Sequence, residues 1–251
     1  MITVERKVIQ NIPVLEIVDR NREEESLPLT LFLHGITNQK EKGLEPGYEM
    51  ALQGMRVVIP DAFLHGERKD ESYNGSKEMA FWNIVWHSLE EIPYLVDEYV
   101  SKGKASSNRV SVTGLSMGAI TTCMALAKYP WIHSGGCLMG TPDPIGFTEW
   151  ILSSHWAEGM EPIGKEEVSE LMIPFHSMSL QAEPEKIAKR PFYIWHGTDD
   201  QSVPFEQINS FVAGIENHDY AENVKFEYNE GHGHKVPYEI FGNMAHFLGS
   251  H

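Results

Sequence analysis

The chain has 251 residues, of which 41% are hydrophobic, so it is long enough to bury the core of one large α/β domain. Its formal net charge of −16 repels phosphate backbones and argues against nucleic acid as a partner. No apolar stretch approaches the length that spans a bilayer, and the N-terminal sequence lacks the basic-then-apolar layout of a signal peptide. The two cysteines, Cys123 and Cys137, lie in apolar sequence and are typical of reduced core thiols. We therefore expect a cytoplasmic protein without membrane or nucleic-acid partners.

Apolar patterning predicts strands and helices in alternation along the chain. The predicted strands are 2–9, 13–19, 29–35, 55–62, 109–114, 135–140, 190–197 and 223–229. The predicted helices are 44–54, 77–101, 116–128, 205–216 and 237–248. This alternation indicates a mainly parallel sheet with helices on both faces, in a single domain over residues 1–251.

The region 141–189 differs from the rest of the chain. Prolines, tryptophans and methionines are mixed there with charged residues, and no buried strand is evident. We expect short helices inserted between two core strands. Because ligands bind at the carboxyl ends of parallel strands, such an insertion would lie over the site as a cap.

The sequence Gly114-Leu115-Ser116-Met117-Gly118 fits the pattern G-x-S-x-G between a predicted strand and a predicted helix. A serine at such a turn takes a strained backbone conformation, and small neighbours prevent clashes with the strand and the helix. The alternative is a glycine-rich turn with a serine as helix N-cap. The strand-to-helix context favours a nucleophile whose hydroxyl projects at the edge of the sheet.

A nucleophilic serine requires a histidine as general base and a carboxylate to orient that histidine. In folds of this type the acid and then the histidine follow the serine, each on a loop after a later strand. Asp199 and Asp200 follow one predicted strand, and His232 and His234 follow the next. The spacing alone leaves both pairs open.

Five segments together resemble the α/β-hydrolase superfamily: LFLHGIT, PDAFLHGER, GLSMG, HGTDDQSVP and GHGHKVP. The likeness is to small bacterial carboxylesterases of the YitV/YjfP type, related to dienelactone hydrolases and to the prolyl-oligopeptidase catalytic domain. It extends over nearly the whole chain. The resemblance implies an α/β-hydrolase fold with Asp200 as the acid, His234 as the base and Asp199 as a loop residue.

An oxyanion hole requires two donors aimed at the developing negative charge. The backbone N–H of Met117, directly after Ser116, is one candidate. The resemblance implies that the N–H of Ile36 is the other. Thr37 is expected to assist through its backbone or its hydroxyl, and His34 to brace the loop.

Other residues carry weaker signals. Trp150 and Trp156 in the cap are candidates for an apolar substrate pocket, joined by Met160, Met172 and Met178. The segment DAFLHGER is either a wall of the site or a loop held by hydrogen bonds, and the second interpretation is preferred. His232 and His234 have the spacing of a metal pair, but no further cluster of ligands accompanies them, so we expect no metal and no cofactor.

These observations predict a serine hydrolase, in particular a carboxylesterase that cleaves small, short-acyl esters through Ser116, His234 and Asp200. A thioesterase, a deacetylase or a small peptidase would use the same three residues. A non-catalytic binding module is the alternative from another class, but it would not need all three. The apolar cap residues also allow a homodimer.

Overall fold

The computed structural model describes residues 1–75, 79–158 and 164–251 of the chain. Within them a single sheet of eight strands runs through the molecule. The strands are β1 (Ile2–Ile9), β2 (Ile12–Asp19), β3 (Leu27–Leu33), β4 (Arg56–Pro60), β5 (Ala105–Leu115), β6 (Ser134–Leu138), β7 (Phe192–Gly197) and β8 (Val224–Asn229).

The order of the strands across the sheet is β1-β2-β4-β3-β5-β6-β7-β8. β1 pairs with β2, and β2 with β4, in antiparallel fashion. From β4 to β8 every pairing is parallel. The carboxyl ends of β3, β5, β7 and β8 therefore meet at one edge of the sheet, where ligands bind in open α/β folds.

Helices cover both faces of the sheet, as predicted. They are α1 (Leu44–Leu52), α2 (Phe81–Ser101), α3 (Met117–Lys128), α4 (Pro144–Ser153), α5 (Lys165–His176), α6 (Phe205–Ile215) and α7 (Tyr238–Gly249). Apolar residues of α1 and α7 pack on one face of the sheet. Those of α2, α3 and α6 pack on the other face, together with buried residues of α4 and α5. The α/β-hydrolase architecture predicted from the sequence is confirmed.

The segment between β6 and β7 contains α4 and α5, together with short 3-10 helices at His155–Ala157 and Pro184–Ile187. Its described part is helical, without a strand, and its expected position over the site as a cap stays a prediction. Its aromatic side chains pack against one another and against α2. Phe147 stacks on Trp150 with ring centres 5.5 Å apart, and Phe175 lies 5.1 Å from Trp82.

Two predicted elements start more than two residues away from their observed starts. β5 begins at Ala105, four residues before the predicted start, and includes the polar sequence Ser106–Arg109. Its pairing begins with Leu27 opposite Ala105, a contact between distant parts of the chain that local patterning does not reveal. The predicted helix 77–101 is observed from Phe81, and residues 77 and 78 lie outside the described residues.

None of the helices in the described ranges combines the length and apolarity needed to cross a membrane.

Candidate active site

Ser116 lies at the turn between β5 and α3, with the positive φ of 53° and a ψ of −119°. A residue with a Cβ atom rarely takes such a conformation, and it persists only where the surroundings impose it. Here the Ser116 N–H donates to the Leu138 carbonyl at 2.9 Å. The Ser116 side chain makes no capping hydrogen bond to α3, so it does not act as an ordinary helix N-cap.

The two glycines of the turn are required by space. A Cβ atom on Gly114 would lie 2.5 Å from the Gly118 carbonyl carbon. A Cβ atom on Gly118 would lie 2.0 Å from the carbonyl oxygen of Leu33 on β3. Both distances are far below van der Waals contact. The strand-to-helix turn that carries Ser116 can therefore form only with glycine at these two positions.

Ser116, His234 and Asp200 form a continuous chain of hydrogen bonds. His234 Nε2 lies 2.8 Å from Ser116 Oγ, and His234 Nδ1 lies 2.7 Å from Asp200 Oδ2. The three residues come from the loops after β5, β8 and β7, which end at the same edge of the sheet. The serine hydroxyl is nearly buried, with 7% of the residue exposed. This is the arrangement in which an imidazole accepts the hydroxyl proton and a carboxylate orients the imidazole.

The carboxylate of Asp200 is buried yet ionised. Burial by itself raises the pKa of Asp200, but hydrogen bonds from His196 and His234 and from the Val203 N–H outweigh it, so the pKa lies well below its ordinary value. The N–H groups of Ser202 and Val203 donate to Asp200 Oδ1 at 2.8 and 3.0 Å. These donors stabilise the charged carboxylate at Oδ1 and leave Oδ2 to face His234.

His196 is a neighbour of Asp200 that is not among the predicted site residues. Its Nε2 lies 3.2 Å from Asp200 Oδ2 and 2.9 Å from the Val203 carbonyl, and the side chain is fully buried. Its Nδ1 has no hydrogen-bond partner within the part of the chain described. Its position as the penultimate residue of β7, four residues before Asp200, was the available signal in the sequence.

The structure distinguishes the residues that spacing left open. Asp199 is exposed, and its Oδ1 accepts from the Thr198 hydroxyl at 3.2 Å. His232 is exposed as well, with Nδ1 3.3 Å from the Glu230 carbonyl. Neither contacts Ser116 through a described hydrogen bond. Of the two pairs, His234 contacts the serine, and Asp200 is linked to it through His234.

The loop after β3 lies beside Ser116. A Cβ atom built on Gly35 would be 3.4 Å from Ser116 Cβ and 3.0 Å from a methyl group of Leu115. Ile36 follows Gly35, and its side chain packs against the core. Met117 is the first residue of α3, where the backbone N–H has no acceptor within the helix. The predicted oxyanion donors Ile36 and Met117 thus lie on the two segments adjacent to the serine.

Thr37 differs from the expectation. It is exposed, with the left-handed φ of 65°. Its backbone N–H donates to His65 Nε2 at 3.0 Å. The predicted assistance through the Thr37 backbone is therefore wrong, because that donor is already engaged. The Thr37 hydroxyl remains a candidate for substrate contact.

Trp150 and Trp156 lie in the segment between β6 and β7, half-buried in an aromatic cluster with Phe81 and Phe147. Their predicted contact with substrate stays a prediction. Met172 and Met178 are buried in the core cluster that includes the cap helices, and Met160 lies outside the described residues. In the described ranges, no group of three or more histidine, cysteine, aspartate or glutamate side chains is arranged to hold a metal ion.

Comparison with known proteins agrees with this fold. Residues 87–249 match the model of the prolyl oligopeptidase family. The chain is 35% identical over 240 residues to the putative esterase YitV of Bacillus subtilis, covering 94% of each chain. It is 24% identical to the esterase YjfP of Escherichia coli over the full length of both. The crystal structure of TT1662 from Thermus thermophilus superposes with a TM-score of 0.76 at 20% identity, covering 99% of this chain and 97% of that one.

The fold is that of the α/β-hydrolase class. Within that class the chain belongs to the prolyl oligopeptidase family, as a hydrolase whose relatives of similar length are named esterases.

Proposed function

We propose that the protein is a serine carboxylesterase that cleaves small, short-acyl esters without a cofactor. The observation that supports this most strongly is the hydrogen-bonded chain from Ser116 Oγ through His234 to Asp200. It lies in a chain whose relatives YitV and YjfP carry the name esterase.

The proposed reaction begins when Ser116 Oγ attacks the ester carbonyl carbon and His234 Nε2 takes the hydroxyl proton. Asp200 accepts a hydrogen bond from His234 Nδ1 and stabilises the imidazolium that forms. The carbonyl oxygen becomes an oxyanion, which the N–H groups of Met117 and Ile36 stabilise. His234 then gives its proton to the leaving alkoxide as the carbon–oxygen bond breaks, so an alcohol departs and an acyl-enzyme remains.

Deacylation reverses the roles. Water attacks the acyl carbon while His234 removes its proton, and a second oxyanion forms in the same hole. Collapse of this intermediate breaks the bond to Ser116 Oγ, which regains the proton from His234. The carboxylic acid is released and the enzyme returns to its starting state.

The preference for short acyl groups follows from the cap, which we assign to residues 141–189. It is modest in size, and Trp150 and Trp156 lie with their ring centres 5.5 and 6.1 Å from that of Phe147. We propose that these tryptophans bound the acyl pocket and that the Thr37 hydroxyl faces the substrate. Trp150→Ala should then shift the preferred acyl chain of p-nitrophenyl esters to greater length. An unchanged chain-length profile would remove Trp150 from the pocket.

The cellular setting is part of the proposal. Two free, buried cysteines suit a reducing cytoplasm, and the partner that the site requires is a small-molecule ester, with neither nucleic acid nor membrane involved. A homodimer through apolar cap residues stays a prediction, which sedimentation velocity would test directly.

The test of the function is hydrolysis of p-nitrophenyl esters of graded acyl length by the wild type and by Ser116→Ala. Turnover that is greatest for acetate or butyrate, and that falls about 10⁴- to 10⁶-fold in kcat in the variant, supports the proposal. Serine-dependent turnover of thioesters or amides, without turnover of esters, would favour one of the alternatives: a thioesterase, a deacetylase or a small peptidase. No serine-dependent turnover of any of these substrates would overturn the proposal.

A further inference from the structure

The segment Asp61–Arg68, between β4 and α2, lies against the loop that carries the proposed oxyanion donor. We call residues 34–37 the oxyanion loop and residues 61–68 the brace. From the sequence, the brace is expected to be a loop held by hydrogen bonds, and nothing in the proposed chemistry uses it.

His65 connects the brace to the oxyanion loop at one atom. The side chain is fully buried. Its Nε2 accepts a hydrogen bond from the Thr37 N–H at 3.0 Å, and its Nδ1 lies 2.8 Å from the carbonyl of Phe63. A carbonyl can only accept and an N–H can only donate, so the ring carries its proton on Nδ1 and is neutral in this arrangement.

The residue that His65 holds is strained. Thr37 has φ of 65°, in the left-handed region that residues with a β-branched side chain avoid. Such a conformation persists only where other contacts impose it. Thr37 directly follows Ile36, so the peptide plane that His65 fixes is next to the plane that bears the Ile36 N–H.

Two further contacts hold the flanks of the oxyanion loop against the brace. The Ala62 N–H donates to His34 Nε2 at 3.0 Å. On the other side, the buried Asp61 carboxylate accepts from the Lys40 N–H at 2.9 Å and from Lys40 Nζ at 2.7 Å. Both flanks are therefore anchored. Between them, the Gly35 carbonyl belongs to the peptide that bears the Ile36 N–H, and it lies 2.8 Å from His34 Nδ1 and accepts from the Asn38 N–H at 3.2 Å. The hydrogen bond from Thr37 to His65 holds the peptide that follows it.

We infer that His65 is a positioning residue of the oxyanion hole, which fixes the Ile36 N–H through its hydrogen bond to Thr37. The inference rests on the proposed function, because it assigns His65 a part in stabilising the oxyanion of that reaction. His65 does not touch the substrate. It acts on the direction of a donor, and a donor displaced by about an ångström loses much of its effect on the transition state.

The test compares two substitutions of His65 in the full-length enzyme. Asn at this position retains a polar group near Nδ1 but cannot reach Thr37, whereas Gln extends an amide oxygen toward the place of Nε2. We expect His65→Asn to lower kcat for p-nitrophenyl acetate by about 10- to 100-fold with little change in KM. His65→Gln should recover most of that loss.

A second readout separates positioning from general damage to the fold. A trifluoromethyl ketone adds to Ser116 Oγ and forms an oxyanion in the same hole, so its inhibition constant should rise in His65→Asn by the same factor as kcat falls. The control is Ile17→Val, which leaves a small cavity in the core on the other face of the sheet. It should lower the melting temperature and leave both the ketone constant and kcat unchanged.

Equal activity of His65→Asn, His65→Gln and the wild type would overturn the inference. So would a loss of kcat in His65→Asn without weaker binding of the ketone. If His65→Asn does not fold, the inference still requires that His65→Gln folds with near wild-type kcat and ketone binding, and a failure of both variants would contradict it. The proposed function is tested separately by Ser116→Ala. If the wild type is active and Ser116→Ala is inactive, a negative result for His65 overturns the inference about His65 and leaves the proposed function in place. A wild type without serine-dependent turnover would overturn both.

Discussion

Asp200 carries a negative charge in a pocket from which water is largely excluded. Its pKa is held below its ordinary value because the hydrogen bonds from His196, His234 and the Val203 N–H outweigh the effect of burial. The charge is therefore maintained by donors from β7, from the loop after β7 and from the loop after β8. Its neighbour Asp199 is exposed and makes no such set of contacts.

This difference predicts opposite outcomes for two adjacent substitutions. Asp200→Asn should lower kcat for ester hydrolysis by about 10³- to 10⁴-fold, because the amide no longer holds the His234 tautomer with its proton on Nδ1. Asp199→Asn should stay close to the wild type, and it serves as the matched control. Steady-state kinetics on p-nitrophenyl acetate measures both. Full activity of both variants would show that the acid lies elsewhere.

The same pKa shift predicts a dependence of stability on pH. A carboxyl group whose pKa is lower in the folded state stabilises the fold above its ordinary pKa and loses that contribution as the pH falls toward the folded value. The free energy of unfolding of the wild type should therefore fall between pH 6 and pH 3 by roughly 1–2 kcal/mol more than that of Asp200→Asn. Urea denaturation at a series of pH values measures the difference. Parallel curves for the two proteins would contradict the assigned shift.

At the level of single residues, the sequence showed which residue types could form the site, but it did not show which of them are hydrogen-bond partners in the fold. The pattern G-x-S-x-G identified Ser116, and both flanking glycines are indeed required by space. Spacing could not choose between Asp199 and Asp200, since both follow the same strand. The bond from Thr37 to His65 joins positions 28 residues apart, and only the folded loop brings them together.

Among the elements, α3 depends on its close approach to β3. Gly118, in the first turn of α3, lies so near β3 that the Leu33 carbonyl occupies the space that a Cβ atom would need. A side chain at position 118 could reach ordinary van der Waals contact only if α3 moved away from the sheet. Because Ser116 directly precedes α3, the same movement would displace the serine.

Gly118→Ala should therefore destabilise the protein by at least about 2 kcal/mol and displace Ser116, because the new methyl group meets backbone rather than a movable side chain. The matched control is Gly214→Ala in the exposed part of α6, where an added Cβ meets nothing within 4 Å. That variant should be neutral or stabilised by up to about 1 kcal/mol. Thermal denaturation measures both changes. A Gly118→Ala protein as stable as the wild type would contradict the packing described.

The elements themselves were largely predictable because their apolar periodicity is strong. α2 buries residues at helical spacing, and the central strands are continuous apolar runs. Boundaries were less predictable where pairing depends on distant residues. The polar start of β5 pairs as a strand through Leu27, which its own sequence does not indicate.

For the whole molecule, alternating strands and helices predicted a parallel sheet but not its order. β3 lies between β4 and β5, so the chain crosses over after β3 before it returns. This crossover places the loop after β3 next to the loop after β5, beside Ser116. The oxyanion loop and the brace are thus brought to the serine by topology, and no local pattern in the sequence contains that information.

The most direct test of the account is the site of covalent labelling by a fluorophosphonate, identified by peptide mass spectrometry. The reagent reacts with a serine only when a nearby base activates it. We expect a stoichiometric adduct on Ser116 in the wild type and in His232→Ala, and a strongly slowed reaction in His234→Ala. The absence of an adduct on Ser116 in the folded wild type, or equal labelling of His234→Ala, would contradict the assignment of Ser116 and His234 as nucleophile and base.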